Sequence, residues 1–434
     1  MAESIANWKR FVEHASLSDV GLRRSNNQDS LAIAMAGDEA NWLVRGHLFM
    51  VADGMGAHAA GELASKMACT SVPHTYHKLA DRPAPEALKQ AIVEANQQIH
   101  ERGQASTDFN GMGTTASALA LLPQGAIVGH VGDSRVYRLR GNMLHQLTFD
   151  HSLVWEMKAA GHFVGAEAPA FVPKNIITRS LGPHAEANVD LEGPFPLEVG
   201  DTFLLCSDGL SGQVTDQEIG LIMGALSPKD AVRALVDLAN LRGGPDNITV
   251  IIARIVGRVQ SERMADLPAT FSVSRKERPT VHPAVWVFIG ASLLMAALLG
   301  MLDYRIAAFG SVIAAIIGGV VAVIQRSGSA ESTAAAAPSG PLGRGPHVAF
   351  NCTPSADLIA SIAQVVIKLR DAAVDEGWEV KWPEFDGFCD RAAAAINAKN
   401  FSQAVREYCL AISFMVSEVR RQRAKKGKDS SVIE

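Results

Sequence analysis

The sequence predicts an α+β fold over residues 1–257, followed by an apolar hairpin and a small all-α segment. Three observations support this organisation. Residues 14–257 alternate short β-branched runs with helical stretches and Gly/Asp turns. Residues 284–324 hold two apolar stretches of about 19 residues each. Residues 354–425 carry apolar side chains at helical spacing.

The composition narrows the class of protein. The chain has 434 residues, of which 48% are hydrophobic and 20% charged, so it is globular or partly membranous rather than disordered. A net charge of −5 gives no overall attraction for nucleic acid, which we do not expect as a partner. The five cysteines are scattered without a Cys-x-x-Cys pair, which argues against a zinc knuckle or a disulfide framework and fits a reducing compartment.

Polar segments separate the predicted regions. We expect a linker at 258–283 and a flexible Ser, Ala, Gly and Pro-rich spacer at 325–353. A basic and polar tail follows at 426–434. The first 16 residues lack the continuous apolar stretch of a signal peptide, so we expect the N-terminal region to lie in the cytosol.

The apolar residues 284–324 predict two transmembrane helices. Each stretch is about as long as a bilayer core requires, and the ionisable residues between them are confined to the break at 303–305. Basic residues at 275–278 and Arg326 flank the pair, which places both ends in the cytoplasm. We therefore expect a protein of the cytoplasmic membrane with both of its larger regions facing the cytoplasm. A buried helical hairpin is the alternative interpretation.

Four aspartates stand at the ends of strand-like runs. Asp53 and Asp208 end apolar runs, Asp246 precedes another, and Asp133 lies between two short ones. Carboxylates gathered at one sheet edge repel one another unless cations compensate them, and oxygen ligands favour Mg²⁺ or Mn²⁺ over zinc. The alternative is that each Asp-Gly or Asp-Asn pair is only a turn.

The segment 18–30 combines two arginines with Asp29. A guanidinium can bind a phosphate through two hydrogen bonds, and a nearby carboxylate can orient a water molecule. By itself this pattern is weak, because an Arg-Arg pair is usually solvated.

Together these segments resemble the PPM family, the type 2C metal-dependent protein phosphatases, in its bacterial form. Eight motifs follow the family's order and spacing between about residue 15 and residue 255. They are SDVGLRRSNNQDS, VADGMGAHAAGE, GMGTTASAL, GHVGDSRVYRL, LTFDHSLV, ITRSLG, LLCSDGLSG and GGPDNITV. The resemblance implies a four-layer α-β-β-α sandwich with a metal cleft at one end.

The resemblance also implies a set of metal ligands. Asp53 corresponds to the carboxylate that bridges two Mn²⁺ or Mg²⁺ ions, and the carbonyl of Gly54 to a ligand of one of them. Asp208 and Asp246 correspond to terminal ligands. Asp133 corresponds to a ligand of a third, weaker metal. A water that bridges the two ions would attack the phosphorus.

The same resemblance assigns Arg24 to phosphate binding and Asp29 to holding water at the metals. It predicts a phosphatase acting on phosphoserine and phosphothreonine without a phosphoenzyme. Met55 stands where many members have a histidine, so the proton donor for the leaving group is open. His58 is a candidate, and a structural loop histidine is the equal alternative. Cys206, inside a strand-like run, is interpreted as a core residue.

The C-terminal segment predicts a small helical bundle at 354–425. Residues 355–375 have an amphipathic pattern, and residues 392–415 predict a helix, a Lys-Asn turn and a second helix. One such hairpin resembles a single tetratricopeptide unit, although repeat arrays need about three units. We expect the bundle to bind an unidentified protein partner or to dimerise.

Three functional hypotheses follow from these patterns. In the first, the chain removes phosphate from phosphorylated proteins, among them a serine/threonine kinase that it opposes. In the second, it is a catalytically weak, membrane-tethered sensor or scaffold of the same fold. In the third, it is a phosphatase of this kind that acts mainly on one regulatory partner recruited by the C-terminal bundle. The presence of every expected aspartate favours the enzyme.

Overall fold

A computed structural model describes residues 8–56, 59–161, 172–173, 176–257, 283–302, 304, 307, 309–311 and 342–429. The chain divides into two compact units. One contains Met1–Val273 together with Pro341–Glu434, and the other is Ser274–Gly340. The C-terminal segment therefore belongs to the same unit as the N-terminal α+β region.

Two mainly antiparallel sheets form the centre of the first unit. One has the order β1-β11-β10-β7-β8-β12, with strands Val12–Asp19, Ile248–Ile255, Thr202–Cys206, Arg135–Arg140, Met143–Gln146 and Val348–Asn351. The other has the order β2-β3-β5-β6-β9, with strands Asp29–Ala34, His47–Met55, Ala116–Leu122, Gly125–Val131 and Asp190–Phe195. The short strand β4, Gly113–Thr114, pairs with the end of β3.

The central strands are buried on both faces, which explains their continuous apolar runs. On β3, Phe49 and Val51 pack in a core shared by both sheets, whereas Leu48 and Met50 pack in a second core with helices. All four side chains are fully buried. A strand sends alternate side chains to opposite faces, so a strand between two apolar layers has no polar side.

Helices cover both outer faces, which confirms the predicted α+β sandwich. In chain order the helices before residue 257 are α1 Glu39–Arg45, α2 Ala60–Lys78, α3 Ala84–Gln104, α4 Leu153–Ala159, α5 Asp208–Ser211, α6 Asp216–Ala225 and α7 Pro228–Leu241. Helices α2 and α3 pack on the second sheet, and α6 and α7 pack on the first. Side chains cap the last two: Thr215 and Glu218 form a capping box on α6, and Ser227 caps α7.

The C-terminal residues add three more helices to the first sheet's side of the sandwich. The helix Pro283–Met301 of the second unit is α8, so these three are α9 Ala356–Asp375, α10 Trp382–Asn397 and α11 Phe401–Asp429. The predicted helix and helix–turn–helix are confirmed. Their fully buried side chains, among them Ile362, Phe385 and Met415, share one core with α6 and α7. The sequence treats residues 354–425 as a separate bundle, whereas in the structure they extend the core of the α+β region.

In the second unit the structure describes the helix α8, Pro283–Met301. None of the helices within the described residues has both the length and the apolar character needed to cross a membrane. The predicted two-pass transmembrane hairpin is therefore not supported there. Most of its second predicted span, residues 306–324, lies outside the described residues.

Candidate active site

The ends of β2 and β3 bring two of the predicted residues face to face. Asp29 and Asp53 are direct partners in the antiparallel register of these strands. The next residue, Gly54, donates its N–H to the carbonyl of Gln28 at 3.2 Å. A Cβ on Gly54 would collide with the carbonyl of Gly61 at the start of α2, so only glycine allows this approach.

Two threonines hold the end of β3 in place. The N–H of Asp53 donates to Oγ1 of Thr115 at 2.8 Å, and the hydroxyl of Thr114 donates to the carbonyl of Asp53 at 2.9 Å. The hydroxyl of Thr115 also lies 2.8 Å from that of Ser134, in the turn between β6 and β7. That turn carries Asp133. The hydroxyls of Thr115 and Ser134 therefore hold Asp53 and Asp133 in place relative to each other.

Asp208 and Asp246 come from neighbouring strands of the first sheet. Asp208 follows β10 as the first residue of α5, and Asp246 lies two residues before β11. The two segments approach so closely that a Cβ on Gly209 would collide with the carbonyl of Asn247. Glycine at this position therefore lets the end of one strand meet the start of the other.

Two residues next to these aspartates organise the site, and the sequence did not single them out. Ser207 donates its hydroxyl to Oδ2 of Asp29 at 2.7 Å, joining the two sheets. Asn247 donates to the carbonyls of Val20 and Asn26 and accepts from the N–H of Gln28. The amide thus holds both ends of the loop that contains Arg24. In the sequence, the only signal for either residue is that it stands next to a predicted metal ligand.

Arg24 lies at the exposed mouth of the cluster. Its Nη2 donates to Oδ2 of Asp246 at 2.8 Å, and 51% of its side chain is exposed to solvent. The hydrogen bond and the charge of Asp246 raise the pKa of Arg24, with smaller contributions from Asp53 and Asp208. The guanidinium is therefore accessible and faces the predicted metal ligands.

Burial and mutual repulsion dominate the electrostatics of the carboxylates. Burial, followed by the charges of Asp29, Asp208, Asp133 and Asp246, raises the pKa of Asp53 well above its usual value. Burial also raises the pKa of Asp29 to about 7, opposed by its hydrogen bond from Ser207. The pKa of Asp133 rises to about 7 through burial and the charges of Asp208 and Asp150. Negative charge in this cluster is thus destabilised unless a cation compensates it.

The donor set fits hard divalent cations. Asp29, Asp133 and Asp208 each have one buried oxygen without a hydrogen-bond partner among the described residues. Such orphaned oxygens are rare in folded proteins, and carboxylate oxygens are the ligands that Mn²⁺ and Mg²⁺ prefer. Within the described part of the chain, however, no three acidic, His or Cys side chains already stand close enough to hold a metal ion. The electrostatic coupling and the orphaned oxygens make this cluster the candidate metal site.

Met55 does not supply the proton that the leaving group takes up. Met55 ends β3 close to the acidic cluster, and a thioether cannot donate a proton. Residues 57 and 58, which include the candidate His58, lie outside the described residues. Cys206 is fully buried in β10, which confirms that it is a core residue, and burial raises the pKa of its thiol to about 12.

Comparison with known proteins matches this region to one family. The sequence profile of the protein phosphatase 2C family matches residues 23–240, about half of the chain. The protein phosphatase PhpP of Streptococcus pneumoniae is 40% identical over 247 residues, which are 56% of this chain and 96% of that protein. The serine/threonine phosphatase stp of Listeria welshimeri is 35% identical over 240 residues, 54% of this chain and 92% of that protein.

Solved structures agree with the sequence comparison. The serine/threonine phosphatase of S. agalactiae superimposes with a TM-score of 0.50 at 37% identity, covering 56% of this chain and all of that one. The serine/threonine phosphatase Stp1 of Staphylococcus aureus gives a TM-score of 0.51 at 30% identity, covering 57% and 96% of the two chains. Nearly the whole of these proteins corresponds to little more than half of this chain.

Proposed function

The chain belongs to the protein phosphatase 2C family, and on that premise we propose that it hydrolyses phosphoserine and phosphothreonine in proteins with the help of Mn²⁺ or Mg²⁺. The observation that carries the proposal is the acidic cluster at one end of the sandwich. It joins the end of β3, the start of α5 and the loop before β11, with an accessible arginine at its mouth. A phosphate dianion matches this combination of cation sites and a guanidinium.

Asp53, Asp208 and Asp246, with the carbonyl of Gly54, would hold two cations, and Asp133 would contribute to a third. When bound, the cations supply Lewis acidity that activates water and neutralises charge on the phosphate. The aspartates of the chain contribute negative charge at fixed positions, because Thr114, Thr115 and Asn247 lock the backbone that carries them.

Arg24 and Asp29 perform the remaining steps that the geometry supports. Arg24 binds oxygens of the phosphate and stabilises the charge that develops on them as the ester bond breaks. Asp29 has one oxygen held by Ser207 and one without a partner within the described residues, so the second can accept a hydrogen bond from the attacking water. As the water oxygen forms a new P–O bond, the P–O bond to the serine or threonine oxygen breaks. One proton of the water ends on that oxygen, so the products are the free hydroxyl and inorganic phosphate.

The test uses the full chain, because the C-terminal helices share its core. Hydrolysis of a phosphothreonine peptide is measured without metal, with Mn²⁺ and with Mg²⁺, for the wild type and the Asp208→Asn variant. Asp371→Asn, at an exposed position of α9, removes the same charge outside the site and serves as the control. We expect metal-dependent turnover that falls by at least about a hundredfold in Asp208→Asn alone. A folded wild-type chain without turnover in either metal would instead favour the sensor or scaffold.

Two further proposals concern the cellular context. We propose that the partners of the enzyme are phosphorylated proteins, including a serine/threonine kinase that it opposes. Dephosphorylation of an autophosphorylated kinase by the purified chain would test this.

Attachment to the cytoplasmic membrane is a proposal that rests on the apolar sequence 284–324 alone. It predicts that the chain sediments with membranes and that deletion of 284–324 releases it, whereas unchanged sedimentation would contradict it.

A further inference from the structure

The C-terminal helix α11 reaches the base of the loop that contains Arg24. On this helix, Nη2 of Arg420 donates to Oδ2 of Asp19 at 3.2 Å. Asp19 is the last residue of β1, and the loop of residues 20–28 follows it directly. Helix α11 lies beyond the residues that the phosphatase family profile matches. The contact therefore comes from outside the region that this chain shares with the profile.

Asp19 fixes the start of the loop with its other carboxylate oxygen. Oδ1 of Asp19 accepts the N–H of Gly21 at 3.0 Å and Nδ2 of Asn240, at the end of α7, at 3.1 Å. Gly21 has a φ of +78°, and a Cβ there would collide with the carbonyl of Asp246. The loop thus passes directly against the backbone of a predicted metal ligand, and the carboxylate of Asp19 helps to hold it there.

The next residues of the loop connect this contact to Arg24. The N–H groups of Leu22 and Arg23 both donate to the carbonyl of Gly244, at 2.8 and 3.2 Å. Nη2 of Arg24 then donates to the side chain of Asp246, which is two residues after Gly244. The position of the guanidinium therefore depends on how the first residues of the loop are held.

Arg420 also compensates negative charge at the base of the loop. It lies 3.5 Å from Oδ1 of Asp237, a side chain on α7 with no exposed surface. Burial raises the pKa of Asp237, and the charge of Asp19 raises it further, whereas Ser413, Arg420 and Arg233 lower it. Without Arg420, the arginine left beside these two acids within the described residues would be Arg233, 3.5 Å from Asp237. The repulsion between the acids would then act on Asp19.

We propose that Arg420 is a positioning residue for phosphate binding, which holds the loop that contains Arg24 in place through Asp19. The C-terminal helices thereby complete the phosphate-binding side of the active site, in addition to sharing the core of the sandwich. The proposal rests on the proposed phosphatase function, and it extends that function to a helix after residue 400.

The first experiment measures how tightly the site holds phosphate. Inorganic phosphate is titrated calorimetrically into the Mg²⁺-loaded full-length protein, for the wild type and the Arg420→Gln variant. Because 43% of the Arg420 side chain is exposed, solvent screens its ion pair in part. We therefore expect the Kd of phosphate to rise about three- to fivefold. Arg420→Lys keeps the charge and should restore most of the affinity.

Arg421→Gln is the matched control. Arg421 is the next residue of α11, is 54% exposed and pairs with Glu418 on the same helix at 2.7 Å. Its replacement should leave the Kd of phosphate unchanged, and an equal loss of affinity in this variant would overturn the proposal. The rise in Tm that Mg²⁺ causes should be the same in Arg420→Gln as in the wild type, because the predicted metal ligands are unchanged. A smaller rise would mean that Arg420 supports the fold of the whole site.

Asp19→Asn tests the other end of the contact, and it remains informative if Arg420→Gln does not fold. Asparagine keeps an oxygen that can accept from Gly21 and loses the ion pair, so the Kd of phosphate should rise by a similar factor. The double variant should bind phosphate no more weakly than either single variant, because all three lack the same interaction. Unchanged affinity in both single variants, or additive losses in the double variant, would overturn the proposal.

Hydrolysis of a phosphothreonine peptide by the wild type reports separately on the proposed function. A wild type that binds phosphate without hydrolysing the peptide would contradict the phosphatase, while the phosphate titrations would still decide the role of Arg420. A wild type that hydrolyses the peptide without measurable affinity for phosphate would overturn the positioning role alone.

Discussion

Ser207 connects the two sheets inside the acidic cluster. It donates to Oδ2 of Asp29 at 2.7 Å, and its oxygen accepts the N–H of Thr249 at 3.0 Å. Replacing Ser207 by alanine removes its hydrogen bond to the buried carboxylate of Asp29 and leaves Thr249 as the neighbouring side-chain donor. Because a hydrogen bond to a charged group is worth about 1.5–3 kcal/mol, we expect kcat to fall about tenfold or more. Steady-state kinetics on a phosphothreonine peptide measure this loss.

Ser211→Ala is the matched control, since Ser211 is the last residue of the short helix α5, which Ser207 directly precedes. Equal activity of the two variants would show that Ser207 does not position Asp29.

The aspartates themselves were predictable, because each stands where an apolar run meets a turn. Ser207 and Asn247 were not, because their partners lie 178 and 219–227 residues away along the chain. Local sequence carries no signal for such pairings.

Glu218 on α6 bonds residues of two other elements and makes the stability of the fold depend on pH. Burial opposes its ionisation, but the hydrogen bonds and charge of Arg242 lower the pKa of Glu218 from 4.5 to about 2. Ser361 on α9 donates to the same carboxylate at 2.9 Å. A carboxylate whose pKa is lower in the folded state than in the unfolded state stabilises the folded state at pH values above the unfolded-state pKa. This stabilisation is lost as the pH falls through the folded-state pKa.

We therefore expect Glu218→Gln to destabilise the protein most near neutral pH and progressively less between about pH 4.5 and about pH 2. Urea unfolding of both proteins across this range measures the difference. Glu376→Gln, at the exposed end of α9, should show no such trend. A difference in stability that is independent of pH would contradict the assigned ion pair.

The helix α9 contributes to the core through one face only. Ile362 is fully buried in the core shared with α6 and α7, whereas Ile367 on the same helix is 58% exposed. Replacing Ile362 by alanine leaves a cavity, and we expect it to lower the free energy of unfolding by about 2–5 kcal/mol. Ile367→Ala should change it by less than about 0.5 kcal/mol, and thermal or urea unfolding distinguishes the two.

Equal stabilities for these variants would mean that α9 is not part of the core.

The amphipathic pattern of α9 was visible in the sequence, but it identifies an apolar face without indicating which surface that face covers. Strand β12, Val348–Asn351, was missed because it has only four residues and lies inside a segment rich in Gly and Pro. Its pairing with β8 depends on a contact across about two hundred residues, which no local pattern encodes.

Across the whole molecule, the acidic cluster opposes folding unless cations are present. Burial and repulsion raise the pKa values of Asp53, Asp29 and Asp133 together, so the folded state disfavours their charged forms at neutral pH. Divalent cations bind the folded arrangement and remove this repulsion. A ligand at about 100 times its Kd stabilises the folded state by about 2.7 kcal/mol, since the unfolded chain does not assemble the ligands.

We therefore expect Mn²⁺ or Mg²⁺ to raise the Tm of the full chain in a concentration-dependent way, measured by calorimetry without any substrate. The Asp208→Asn variant should have a smaller shift, because it loses a ligand. It should also match or exceed the wild type in Tm without metal, because it loses a repelling charge that burial disfavours. That opposite pair of effects separates a cation site from a structural role of Asp208. A variant less stable than the wild type in metal-free buffer, with an unchanged response to Mn²⁺, would show that the carboxylate supports the fold rather than a metal.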